Sequence, residues 1–341
     1  MTSDLLQRVA PVAARPRLVP AVGVLAAVLV LAAGASLLVG SRPLPVSDVW
    51  NSLRGNGEPA VDAVVRGLRV PRTVLAVVVG AALGLAGALT QALTRNPLAD
   101  PGLVGVNAGA SLGVVVAMAY LGVRSPAGYV WCGVLGAVVV GAVVLGLTSR
   151  VRSLEPVTTL VLTGSVVSAL LGAATTVVLL LHEDSLRSFQ FWSAGTLAAR
   201  DLGVLTGIAP VLVLGVLAAA VTAPALSSLE LGDDLAAALG RRVRRDRAVG
   251  LAAVVLLAAA ATAAAGTLGF LGLLAPHLAR FLAAARPVAT LALSALTGAV
   301  LLTVADVAGR VLLSSSELPV GIVLAVLGAP VFVALARRLD R

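Results

Sequence analysis

Few residues in this chain could do chemistry, and their spacing argues against catalysis. Gly109-Ala110-Ser111-Leu112-Gly113 spells the G-x-S-x-G of a serine nucleophile, which needs a strand before it and a histidine base beside it. Here the surroundings are an apolar, glycine-spaced run, and the two histidines, His182 and His277, fall in remote segments. Helix packing accounts for the motif better. No HExxH occurs, and the absence of any lysine excludes a GxxxxGK phosphate loop and a lysine Schiff base. Two His, one Cys and two Met are too few donors for a conduit that handles bare transition metal. Cys132, in a glycine- and valine-rich run, reads as a small packed side chain. His277, beside Pro276, reads as a satisfied polar group next to a helix break.

Arginine chemistry remains. Arg66, Arg69 and Arg72 cluster around Pro71, and Arg310 follows Asp306 by four residues, a spacing that allows pairing on one helix face. Guanidinium binds carboxylate through two parallel hydrogen bonds, so such a cluster asks for an acidic partner. Interfacial snorkelling is the plainer alternative. A second stretch holds Asp233, Asp234, an alanine run and Gly240, then Arg241, Arg242, Arg244, Arg245 and Arg247. Acids at its start and glycine at its end predict a short helix. A third stretch runs from Arg95 to Gly102. Pro97 and Pro101 each lack a backbone donor and bias the preceding residue away from helix, while Asn96 and Asp100 suit caps. It reads as a tight polar turn.

The elements carrying these residues follow from composition. Hydrophobic residues make up 59% of the 341 and charged residues 12%, with mean hydropathy +1.04. Soluble domains run near about 25% charged, so lipid is the solvent. The apolar runs are continuous, where a barrel would show short alternating segments, so the fold class is an all-α polytopic membrane protein. After a polar tail, residues 1–17, spans are predicted near 18–40, 73–94, 102–122, 127–148, 157–181, 202–222, 248–266, 268–284, 288–305 and 319–336. That is about ten transmembrane helices. Ala33-Gly34-Ala35-Ser36 is small enough for signal cleavage, but the first run exceeds the roughly 7–15 apolar residues of a signal peptide.

Arg95, Arg150, the Arg241–Arg247 cluster, Arg280 and Arg337 fall on one side of this arrangement, and the other side carries fewer arginines, balanced by Asp48, Glu58, Asp62, Glu183, Asp184 and Glu317. The positive-inside rule puts both termini in the cytoplasm, with one membrane domain over 18–341 and an inside loop at about 223–247. The net charge of +9 belongs to these loops; with 3% aromatics, no nucleic-acid surface is expected. Gly80 and Gly84, then Gly105, Gly109 and Gly113, have the spacing that lets helices approach closely. Polar residues in or beside the spans are few, with Gln91, Asn107 and Ser111 the candidates for a pathway. Essentially no charge lies within a span, which argues against ion-coupled transport.

The chain resembles the FecCD-type permeases, the membrane subunits of binding-protein-dependent ABC importers of iron–siderophores, haem and cobalamin. The likeness lies in an ordered set: RVPR, GALTQ, RNPLADPGLVGVNAGAS, LTGS, FWSAGTL, LELGDDLAAALG, GTLGFLGLLAPHLAR, DVAGR and ELPVGIVLAVLGAPVF. It covers nearly all of the chain after Arg42. It implies a cobalamin-importer-permease-like fold in the bacterial cytoplasmic membrane. The implied partners are a second permease, identical or sister, two ATPases that use the ATP, and an extracytoplasmic binding protein. No cofactor or metal is implied on this chain, and no catalytic role.

The resemblance places Arg69, Arg72 and Arg310 where the family receives acidic residues of the binding protein. Asp233, Asp234, Ala236 and Gly240 match the motif that couples to the ATPase, with Leu235 standing where the family has alanine. Asn96, Pro97, Asp100 and Pro101 match the inner turn near the gate. The implied cargo is a ferric siderophore, with haem or cobalamin next. A metal-ion permease of another family and a secondary transporter are the remaining alternatives.

Overall fold

A computed structural model describes residues 18–40, 44–150, 156–283, 286–312 and 317–339, and all regular structure among them is helical. In chain order the helices are α1 (Leu18–Leu38), α2 (Val46–Arg54), α3 (Pro59–Val64), α4 (Val70–Thr94), α5 (Val106–Tyr120), α6 (Pro126–Arg150) and α7 (Pro156–Leu181). Then come α8 (Glu183–Ser193), α9 (Leu202–Glu230), α10 (Asp233–Ala238), α11 (Val243–Ala265), α12 (Leu271–Ala283), α13 (Pro287–Val311) and α14 (Val320–Leu339). Seven described helical stretches are long and apolar enough to cross a membrane, and α5, α12 and α14 are shorter apolar helices. Together they coincide with the ten predicted spans. The expected tail, residues 1–17, lies outside the described residues.

Boundaries moved where charge or proline misled the reading. The span predicted from 73 begins at Val70 and continues a helix from Pro59 through a π turn at Val65–Arg69. Such a turn is a common way for a helix to absorb an irregularity, here two residues before Pro71. Helix α9 runs to Glu230 with Pro210 and Pro224 inside it, so the loop expected at about 223–247 shrinks to residues 231–242. Membrane helices tolerate such interior prolines. Helix α13 extends past 305 to include Asp306 and Arg310, so charge does lie within an apolar helix.

Helices α4 and α11 form the centre, with 72% of the most apolar stretch of each buried; α1 and α7, at 17% and 11%, lie outermost. The most extensive helix contact is α4 on α13. It depends on Gly80 and Gly298, which face one another so closely that a Cβ on either would collide with the other's carbonyl. Close backbone approach of this kind is how membrane helices associate when lipid supplies no hydrophobic drive. Gly109 meets Gly136 the same way between α5 and α6, so the predicted small-residue spacing is realised. Gly105 serves differently: at φ 78 it turns the chain into α5.

Candidate functional site

Functional side chains gather at the two ends of the bundle. At the first end, α1 stops with carbonyls that have no helical partner, as every helix must. Arg69 donates to Leu37 O at 2.7 Å and Leu38 O at 2.9 Å; Arg310 donates to Ser36 O at 2.8 Å and Val39 O at 3.3 Å. Two cations, one from the π turn before α4 and one from α13, thus cap one helix C-terminus, where the dipole favours positive charge. Ser36 completes the junction. Its hydroxyl shares a 2.7 Å hydrogen bond with Thr73 and accepts from Arg310 at 3.0 Å.

Beside this cap lies a carboxylate bridge. Asp306 pairs with Arg310 one turn along its own helix and receives Arg72 from α4, Nε to Oδ2 at 3.0 Å and Nη2 to Oδ1 at 2.9 Å. Arg72 also donates to Glu317 at 2.6 Å. The three arginines expected at a docking surface therefore bind within the chain, and Arg69 and Arg310 are buried. A hollow of about 340 Å³ opens over them, with Arg200 and Glu317 in its wall. Arg200 went unnoticed in the sequence, and Glu317 was read only as one of the acids balancing that side. The signal available was that Asp306 and Arg310 interrupt an apolar run, and charge in such a place needs partners.

At the second end, Asp233 opens α10 and is held by two arginines. Arg247 donates to both carboxylate oxygens at 2.9 and 3.0 Å, and Arg95 pairs with Asp233 while donating to Leu229 O at 2.9 Å, at the end of α9. Ala236 packs inward, buried, and Asp234 is exposed. Gly240 lies at φ 80 with no side chain near it. Leu231, Leu235 and Leu239, four residues apart, are 61%, 48% and 59% exposed. Sequence reading missed these exposed leucines on and flanking α10, because Leu235 looked like a departure from pattern.

The turn between α4 and α5 is built as expected. Arg95, left-handed at φ 51, ends α4; Asn96 Oδ1 accepts from Leu98 N and Asp100 Oδ1 from Gly102 N at 2.8 Å. Pro97 follows α4, and Pro101 opens a 3-10 turn at Pro101–Val104. Burial pushes the Asp100 carboxyl above its ordinary range, and the Gly102 amide pulls it part of the way back. The pathway candidates do not converge. Gln91 accepts from Arg280 and donates to Leu273 O, joining α4 to α12, whereas Asn107 accepts from Thr262 at 2.9 Å, joining α5 to α11. Ser111 is half-buried on α5. Among the described residues no group of His, Cys, Asp or Glu could hold a metal ion.

The FecCD transport family model matches residues 25–338 of the chain. The chain belongs to the FecCD transport family. Like other FecCD chains it is a permease of ABC-transporter type and a multi-pass membrane protein. It is 42% identical over 275 residues to the ferric enterobactin transport system permease protein FepD of Escherichia coli (strain K12), spanning 79% of this chain and 82% of that one. The Fe(3+)-citrate import system permease protein YfmD of Bacillus subtilis (strain 168) is 38% identical over 273 residues, 78% and 79% of the two chains. A solved chain described as an inward-facing metal-chelate type ABC transporter superposes with TM-score 0.81 at 28% identity, covering 94% of this FecCD chain and 99% of that one. The fold class expected from the sequence is thereby met.

Proposed function

We propose that this FecCD chain is the membrane-spanning subunit of an ATP-driven importer and carries a ferric siderophore inward. In this reading the arginine end faces outward to an extracytoplasmic binding protein, and the α10 end faces a cytoplasmic ATPase. Both termini are then cytoplasmic, a second permease chain completes the pathway, and ATP is consumed on the separate ATPase chains. The relatives that carry ferric enterobactin and Fe(3+)-citrate support the cargo class.

The observation that carries the reading is the leucine stripe on α10. A short helix whose polar foot is fixed by Arg95 and Arg247, and whose leucines stand about half exposed, suits insertion into a groove on another protein. Binding-protein docking at the other end remains part of the proposal, with Arg72, the least buried of the three arginines, and Glu317 as the groups at the surface. Arg69 and Arg310 support that surface from beneath. The test is co-reconstitution with the ATPase and the binding protein in liposomes, following radioiron delivered as ferric siderophore. Uptake should require ATP and all three components. Uptake by the chain alone down an ion gradient would overturn the proposal.

A further inference from the structure

A cleft of about 480 Å³ opens at the α10 end, between the last turns of α4 and α6 and the first turns of α7 and α11. All four helices are long and apolar enough to cross a membrane, and all four end here. The cleft therefore lies at headgroup level. Its walls are largely apolar: Leu93 and Leu160 are buried there, and Leu145, Val157 and Leu251 stand partly covered beside them. The charged groups in its lining are Asp233, Arg244 and Arg247. Its volume falls within the roughly 300 to 1,000 Å³ of small-molecule sites.

One side chain in the lining keeps its hydrogen-bonding capacity free. Thr94, Thr148 and Ser149 donate back to carbonyls of their own helices, Thr90 O, Val144 O and Gly146 O, at 2.7 to 2.8 Å. Arg247 uses both terminal nitrogens on Asp233. Arg244 is exposed, and among the described residues it forms no hydrogen bond or ion pair through its side chain. It sits in the first turn of α11, whose N-cap Arg242 supplies no side-chain cap, so the positive end of the helix dipole adds to the guanidinium. Asp233 is already shared between Arg95 and Arg247, which leaves the charge of Arg244 uncompensated among the described residues.

An occupant must bring an anionic group to Arg244 and hydrocarbon to the leucines. A soluble oxyanion offers the first without the second. An anionic phospholipid joins both in one molecule, and basic clefts between helices at a membrane face bind such headgroups. We propose that the cleft holds one anionic phospholipid of the adjoining leaflet, its phosphate on Arg244 and the upper part of one acyl chain along Leu145, Leu160 and Leu251. Arg247, one turn further along α11, holds Asp233 at the foot of α10, so the lipid abuts the helix that the importer reading couples to the ATPase. Only the naming of the leaflet as cytoplasmic rests on that reading; the site does not.

Native mass spectrometry of the full chain in detergent tests this, titrating phosphatidylglycerol or phosphatidylcholine of identical acyl chains. Wild type should bind phosphatidylglycerol about fivefold or more tighter than phosphatidylcholine. R244Q should weaken phosphatidylglycerol by about fivefold, the weight of one arginine beside an anionic lipid, and leave phosphatidylcholine unchanged. R245Q removes the same charge from an exposed neighbour outside the lining and should behave as wild type. Equal affinity of wild type for the two lipids overturns the proposal, and this arm decides even if R244Q fails to fold. Equal losses in R244Q and R245Q also overturn it, because general surface charge would then suffice. Displacement of phosphatidylglycerol by equimolar glycerol 3-phosphate would assign the cleft to a free phosphate and overturn the lipid. No ATPase, binding protein or siderophore enters these measurements, so a failed transport assay leaves them intact.

Discussion

Arg72 and Asp306, on α4 and α13, meet fork to fork with hydrogen bonds of 2.9 to 3.0 Å across 234 residues of sequence. Asp306 simultaneously pairs with Arg310, so one carboxylate with 1% of its side chain exposed balances two cations. Removing it would leave the buried Arg310 without a carboxylate and Arg72 with Glu317 alone. Asp306→Ala should therefore destabilise the protein by about 3 to 5 kcal/mol, the usual effect of breaking a buried pair. Thermal unfolding in detergent checks this, and an unshifted midpoint would show that the pair contributes nothing.

The contact between α4 and α13 makes a separate prediction about size. Gly84 lies against Ser294, whose carbonyl a new Cβ would strike, whereas Gly146 faces open space. Gly84→Ala should cost about 1 to 3 kcal/mol through overpacking. Gly146→Ala should cost nothing and serves as the control. Equal unfolding temperatures for the two variants would contradict the close approach.

For α10 the readout is partner binding. Leu235→Asp and Leu239→Asp place charge on the exposed stripe, at side chains about half open to the surroundings. Each should weaken co-purification of the ATPase by about tenfold or more, as loss of an interface anchor does. Gly240→Val acts by another route, forcing a β-branched residue to φ 80 and displacing the end of α10. Its expected signature is ATP hydrolysis without uptake. Normal transport by all three variants would remove α10 from the coupling role.

Asp100 gives a dependence on pH. Burial raises its carboxyl from the ordinary 3.8, so the folded chain holds this proton to higher pH than the unfolded chain does. Below the ordinary value both states are protonated and nothing is lost. As pH rises toward the raised value, only the unfolded state releases the proton, and stability falls until both states are ionised. Asp100→Asn keeps an acceptor for Gly102 N and has no proton to release, so its stability should vary less with pH over that window. Parallel urea-unfolding curves for the two proteins from acid to neutral pH would contradict this.

Much of the architecture was legible one residue at a time. Hydrocarbon forces each span to satisfy its own backbone, so ten apolar runs became ten helices wherever charge or proline did not blur their ends. Pro97, Asp100 and Pro101 specified the turn after α4 for the same local reason. The glycines at 80 and 84 announced a close helix contact, although not which helix would supply it.

What the sequence could not decide is which long-range partner each polar group takes. Arg69 and Arg72 read as cations awaiting an outside acid, because nothing local shows that α1 ends beneath Arg69 or that Asp306 lies within reach of Arg72, whereas the four-residue spacing did announce the Asp306–Arg310 pair. Charge pairing depends on distance in space, and the α4–α13 packing sets that distance. In the same way, Leu235 looked like an irregularity until the burial of Ala236 turned it outward beside Leu231 and Leu239.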